Sequence, residues 1–433
     1  MQTSLRGIAT KAKQKKNYRF GNLYGMLNKD ALYIAWKQIN KKASAGVDEE
    51  TAKKFERNLT ENLDNLLEEL KIKNYKAKLV KRVYIPKGKG KFRPLGVPAL
   101  RDKIVQKAVS NILEAIYEQD FLKCSYGYRP KVGAQKAVKD VSKELRGKYS
   151  YVVEADIRGF FDNINHDWLI KMLELRIKDQ TFLRLIKKWL KAGILDTDGK
   201  IVNPLTGCPQ GSIVSPILAN IYLHYSLDLW FDKKVKPNIK GDSYICRFAD
   251  DFICAFRYKE DAERFFKVLG KRLGKFGLEL AEEKTKIINF SKFRIQENDS
   301  FEFLGFEFRW GVSFKGKNII KRSTSRTKLN KSIKEFTKWC KENRNCRLRN
   351  IVDKLNQKFR GYFNYYGVIG NCKSLNEFYL IAIKILFKWM NRRSQRKSFN
   401  WNEFNDKMEL YGLIKPRIVE KPDNQIRLED CFA

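Results

Sequence analysis

Apolar positions recur with a helical period from Tyr24 to Leu70, most clearly at Leu59, Leu63, Leu66, Leu67 and Leu70, and a turn-like stretch from Lys41 to Asp48 interrupts them. This predicts a helical opening region. In the next segment, LVKRVYIPKGKGKFRPLGVPAL, two β-rich runs flank a Lys/Gly loop, which predicts a basic hairpin with Arg93 and Pro94 opening its second strand. Helical spacing returns over 101–118 at Ile104, Ala108, Ile112 and Ile116, and residues 121–149 pass through a Gly/Tyr/Pro turn into another helix. In the middle third, YVVEADI is a β-rich run that reaches an acid and leads into a helical segment through Trp189. YICRFADDFICAF then sets two β-rich arms around a central Asp-Asp, and FEFLGFEFRWG reads as a last hairpin. Strands mixed with helices predict an α+β core. Beyond it, Leu355, Phe359, Phe363 and Tyr366, then Leu380, Ile383, Leu386 and Trp389, follow a helical period. They predict a small helical domain, with a tail after it.

Composition adds the scale and the partner. At 433 residues the chain is long enough for about three domains. Its 43% hydrophobic and 13% aromatic content excludes wholesale disorder. The 88 Lys and Arg against 49 Asp and Glu leave a formal charge of +39, which opposes compaction and implies a nucleic-acid partner. Between Lys315 and Lys397, 23 basic residues face four acidic ones. The predicted helical domain therefore has a basic face, interleaved with Tyr362, Phe363, Tyr365, Tyr366 and Trp389. The first twenty residues carry six basic side chains and no acid; they read as a nucleic-acid-binding arm, with an organellar presequence as the alternative. Eight cysteines without a CxxC pair read as reduced cytosolic thiols. Two histidines, His166 and His224, are too few for a zinc finger, an HNH nuclease site or a histidine relay. No apolar run approaches the roughly 18 residues of a membrane span, and the first residues lack the apolar core of a secretory signal. A bacterial cytoplasmic location without a membrane partner is expected.

The candidate chemistry is carried by acids. Asp250 and Asp251 lie at the centre of RFADDFICAF. An Asp-Asp pair alone is a common solvated turn. Flanked by buried strands, however, two adjacent carboxylates repel and are costly to desolvate unless a cation lies between them, and Mg2+ suits oxygen ligands of this kind. Asp156, at the end of YVVEAD, is a strand-end acid that fits a turn or cap as well as a ligand. With the Asp pair it would supply the carboxylates of a two-metal phosphoryl-transfer site, one ion activating a 3′ hydroxyl and the other holding pyrophosphate. Asp162, six residues on, is assigned a capping role.

In chain order, RPLGVP, EADIRGFF, CPQGSIVSPILANIYL, RFADD, GLELAEEKTKI and FEFLGF resemble the successive blocks of reverse transcriptases, specifically those encoded by group II introns and their bacterial relatives. RLRNIVDKLNQKFRGYFNYYG further resembles the maturase or thumb domain of that family. The resemblance spans roughly residues 20–415. It implies a right-hand polymerase of α+β class: a basic arm over 1–22, an N-terminal extension and fingers over 23–149, a palm over 150–310, a helical thumb and maturase domain over 311–400, and a tail over 401–433.

The same resemblance implies roles by position. Asp156, Asp250 and Asp251 match the catalytic acids that hold two Mg2+ ions, with Mn2+ as a substitute. Phe248 stands where the family usually has Tyr, which removes a hydroxyl near the primer and leaves the acids intact. Phe161 matches the aromatic gate beneath the incoming sugar, where a ring leaves no room for a 2′ hydroxyl. Gln210 and Gly211 match residues lining the nucleotide site, and Lys87 and Arg93 those that clamp the triphosphate. Lys284 matches a lysine proposed to protonate pyrophosphate, with a surface ion pair to Glu282 or Glu283 as the alternative. Arg322, Arg326, Lys328, Arg360, Arg392 and Arg393 are the candidate grips on RNA and primer. The implied partners are an RNA template, a DNA or RNA primer, deoxynucleoside triphosphates and a parent group II intron RNA. A domesticated enzyme of phage defence or CRISPR-linked acquisition and a non-catalytic splicing factor are the alternatives; decay of the acidic triad, the mark of the last, is absent.

Overall fold

The computed structural model describes residues 4–421 except 89, 294–298, 314, 394, 396 and 397; the side chains of 87, 88 and 91 are also outside it. The chain forms two compact units, each built from separated segments. It crosses between them after Pro130, at Glu154, at Ile239, inside a helix at Glu263 and at Thr285.

The first unit comprises Met1–Pro130, Ala155–Ile239 and Arg264–Thr285. Its helices are α1 (Leu5–Gln14), α2 (Lys29–Gln38), α3 (Ala52–Arg57), α4 (Leu59–Lys71), α5 (Leu100–Tyr117), α7 (His166–Glu174), α8 (Gln180–Leu190) and α9 (Ser215–Leu223). Helix α5 is buried on most of its circumference, including the polar Asp102, Gln106 and Ser110, and α1, α2 and α9 pack on it. The N-terminal segment is therefore not a free arm. Helix α1 buries Ile8 and Ala12. The buried Arg176 guanidinium donates to the carbonyls of Lys15, at 3.0 Å, and Ala12, at 3.2 Å, and pairs with Asp120 at 2.9 Å. The predicted basic hairpin is present as β1 (Val80–Gly88) and β2 (Lys91–Val97), antiparallel from Lys81↔Val97 to Gly88↔Lys91. Short strands β5 (Ile194–Leu195) and β6 (Ile201–Val202) extend it in the order β2-β1-β5-β6, and β4 (Ile157–Arg158) pairs separately with β9 (Glu279–Leu280).

The second unit comprises Lys131–Glu154, Lys240–Glu263 and Lys286–Ala433. Its four-stranded sheet runs β10 (Lys286–Asn289), β3 (Tyr151–Ala155), β8 (Asp251–Phe256), β7 (Ser243–Phe248). Helix α6 (Ala134–Glu144) packs on β7, and α10 (Lys259–Gly274) is the helix through which the chain leaves. The FEFLGF hairpin is β11 (Ser300–Phe303) and β12 (Phe306–Val312), joined by Leu304 and Gly305 at φ +53° and +77°. It gains a third strand, β13 (Asn318–Thr324), where the sequence reading began the helical domain. The alternation in NIIKRST is that of a strand with one covered face, and Ile320, Arg322 and Thr324 are its buried set.

Helices α11 (Arg326–Asn343), α12 (Leu348–Tyr366), α13 (Cys372–Met390) and α14 (Trp401–Leu410) share one core around Phe336, Leu355, Phe359, Phe363, Phe378 and Leu386. Helix α14 corrects the expected tail. Asn400 closes a capping box with Glu403, and Phe404 and Met408 are buried in the same core.

Candidate active site

The β7–β8 hairpin closes at the Phe248↔Asp251 pair, so its loop is Ala249 and Asp250 alone. Two-residue hairpins need φ above zero in the loop, a conformation glycine adopts freely and alanine does not. Ala249 holds φ +57°. Asp250 is half-buried and Asp251 is exposed as the first residue of β8. Strand β3 lies beside β8, and the Ser150 N–H donates to the Phe256 carbonyl at 3.0 Å, which puts the start of β3 at the end of β8. The two central strands therefore run antiparallel. Burial, then the Asp251 carboxylate, pushes the Tyr365 phenol above its ordinary range, and that hydroxyl donates to the Leu304 carbonyl at 3.0 Å. Sequence spacing had grouped Tyr365 only with the aromatic residues of the helical domain.

Asp156 follows β3 by one residue and belongs to the first unit, whereas Asp250 and Asp251 belong to the second. Its carbonyl accepts the Ala281 N–H at 2.9 Å, and its carboxylate, only 19% exposed, is paired with the Lys284 ammonium. Glu283 pairs instead with Arg158 at 3.0 Å, and Glu279 with the same guanidinium at 2.8 Å. Among the described residues, no group of three or more His, Cys, Asp or Glu side chains forms a metal cage. The donor set still fits Mg2+, which takes one or two carboxylates and leaves its other positions to water and phosphate oxygens. The cation already drawn to Asp156 is a lysine ammonium.

The other predicted residues of the first unit are joined by backbone. The Gly96 N–H donates to the Gln210 carbonyl at 2.6 Å, and Gly211, at φ +110°, lies so close that a Cβ there would stand 2.6 Å from the Gly96 oxygen. RPLGVP and PQGS are therefore fitted through glycines that admit no side chain. The Cys208 N–H donates to the Phe161 carbonyl at 2.7 Å, the Gly207 N–H to the Ile164 carbonyl at 2.8 Å, and the His166 ring lies 2.7 Å from the Gly207 carbonyl. Three motifs far apart in sequence thus form one platform, and the Phe161 ring, half-buried, meets Tyr128 edge-on at 6.4 Å. Burial pushes the Cys208 thiol up to about 12, so it is no nucleophile. Arg93 is exposed on β2 opposite Ile85; Lys87 lies in β1 with its side chain outside the described residues. Asp162 is not the expected cap. The N-cap of α7 is Asn165, which accepts the Trp168 N–H at 3.0 Å.

Residues 85–308 match the family Reverse transcriptase (RNA-dependent DNA polymerase), and 326–405 match Group II intron, maturase-specific domain. The Group II intron-encoded protein LtrA of Lactococcus lactis subsp. cremoris is 30% identical over 94% of this chain and 81% of its own. The chain belongs to the group II intron-encoded reverse transcriptases. Protein YkfC of Escherichia coli (strain K12) is 35% identical over 60% of this chain and 74% of its own. The Uncharacterized 91 kDa protein in cob intron of Schizosaccharomyces pombe is 29% identical over 83% of this chain and 53% of its own. As a member of the family, the reverse transcriptase is an RNA-directed DNA polymerase with a maturase domain, binds template RNA, associates with intron RNA and uses divalent metal ions. No helix among the described residues is long and apolar enough to cross a membrane.

The maturase domain of this reverse transcriptase divides the six predicted RNA grips. Arg326, Lys328, Arg360 and Arg392 are exposed. Arg322 is not available to RNA: it points inward from β13, pairs with Glu420 at 3.1 and 2.9 Å through two nitrogens, and donates to the Ile369 carbonyl at 2.9 Å. A charge run does not reveal which cation a strand turns inward. Arg393 is half-buried against the Met390 sulfur, and burial lowers its guanidinium pKa.

Proposed function

We propose that this reverse transcriptase polymerises deoxynucleoside triphosphates on RNA at a centre formed by Asp156, Asp250 and Asp251, with two Mg2+ ions or Mn2+ in their place. We propose further that it holds its parent group II intron RNA in a ribonucleoprotein and assists its splicing. The observation that supports this most is the hairpin tip: two adjacent carboxylates, Asp250 in a two-residue turn and Asp251 at the start of β8, at one end of the four-stranded sheet. Divalent ions bound there would supply activation of the primer 3′ hydroxyl and stabilisation of the leaving pyrophosphate.

The protein's own groups do the rest. Phe161, on the platform of Cys208, Gln210 and Gly211, presents a ring to the sugar and excludes a 2′ hydroxyl by shape. Arg93, with Lys87, would take the triphosphate from the β1–β2 hairpin. Lys284 holds the Asp156 carboxylate and could pass a proton to pyrophosphate once that carboxylate is turned to a metal ion. The N-terminal extension and fingers are assigned to residues 23–149, the palm to 150–310 and the thumb and maturase domain to the helical core, now including α14. Arg326, Lys328, Arg360 and Arg392 would grip phosphates of the template–primer duplex or the intron.

The test is extension of a DNA primer on an RNA template by Asp156→Ala beside the wild type. Wild-type extension is expected in Mg2+ and Mn2+ and none in EDTA, with the variant slower by at least about 10²-fold. Comparable rates for the two proteins would remove Asp156 from the centre.

A further inference from the structure

Arg247 lies in β7 with its side chain fully inside the protein, at 0% exposure. A buried guanidinium is costly unless its donors are used. One donor, Nη1, goes to the Ala249 carbonyl at 3.0 Å, in the turn that carries Asp250. Ala249 is the loop residue at φ +57°, a conformation that a side chain resists and that persists where the surroundings impose it. In the hairpin register Arg247 faces Phe252 while Phe248 faces Asp251, so the two-residue period puts Arg247 on the sheet face opposite Asp251. The guanidinium thus reaches the turn from beneath.

We infer that Arg247 is a positioning residue: its hydrogen bond to the Ala249 carbonyl holds the left-handed turn and so aims the Asp250 carboxylate. This rests on the reading of Asp250 as a metal ligand. Without the bond, alanine returns toward negative φ and the turn carries Asp250 with it. Glycine accepts φ +57° without penalty. A glycine at 249 should therefore make Arg247 less necessary, which a purely packing role for the arginine would not predict.

The experiment compares wild type, Arg247→Met, Ala249→Gly and the double variant by single-turnover primer extension on RNA across a Mg2+ series. Arg247→Met should lower the maximal rate about 10²-fold and raise the Mg2+ needed for half the maximal rate, with the nucleotide KM moved less than about threefold. In the Ala249→Gly background the same change should cost about tenfold or less. An equal cost in both backgrounds would overturn the inference. Should Arg247→Met show no cooperative thermal transition, Arg247→Lys carries the same comparison, since one ammonium cannot reproduce the planar fork. Asp250→Ala run beside them separates the two readings. If it still extends primers, the ligand assignment fails; if it is inactive and the two costs are equal, only the positioning role fails.

Discussion

The Cys208 N–H anchors the Phe161 backbone, and the half-buried ring meets Tyr128 edge-on. Phe161→Val should raise incorporation of ribonucleotides relative to deoxynucleotides by about 10- to 100-fold, the range one shape contact supplies, read as the ratio of kcat/KM values. An unchanged ratio would mean the ring is only core. Asp102 gives a stability prediction. Burial raises its carboxyl to about 6, opposed by bonds from the Tyr75 hydroxyl and the Lys78 N–H, against about 3.9 in an unfolded chain. The folded protein keeps a proton that the unfolded chain releases, so stability falls as pH rises from about 4 to about 6 and is level above that, a loss on the order of 3 kcal/mol. In Asp102→Asn that fall should vanish from Tm measured across the range; parallel curves would contradict it. The tight turn that carries Asp250 and leads into Asp251 was legible from the β-rich arms on either side of it. Arg247 and Arg322 were not, because a sequence does not say which guanidinium is turned inward.

Elements show where pattern reading succeeds and where packing adds to it. The β1–β2 and β7–β8 hairpins were legible from their β-rich arms and central turns, and α5 from its period. Strand β13 was missed because its basic residues, Lys321 and Arg322, made it look continuous with the charged helices. Helix α14 was missed because a single buried turn, Phe404 to Met408, is too short a periodic signal. The Arg322–Glu420 pair ties β13 to the segment after α14, and removing one partner strands a buried charge. Arg322→Ala should cost about 3–5 kcal/mol, visible as a drop in Tm, while Arg326→Ala on the exposed start of α11 should leave Tm nearly unchanged. Equal shifts would contradict the inward placement of Arg322.

Across the whole molecule the +39 charge is the largest property the sequence states outright, and it sets how the protein meets RNA. If six to ten phosphates are neutralised, affinity for structured RNA should fall by about 10³- to 10⁵-fold between 50 and 200 mM salt, measured by filter binding. A flat dependence would mean the basic faces are merely solvated. The proposed function assigns polymerisation and RNA holding to different residues, the acids for one and exposed cations of the maturase domain for the other, and Asp250→Ala tests that division most directly. Cofactored with Mg2+ on a primed intron RNA, that variant should make no cDNA while binding the RNA with wild-type affinity. DNA synthesis at the wild-type rate by Asp250→Ala would contradict the assignment of the β7–β8 turn as the catalytic centre.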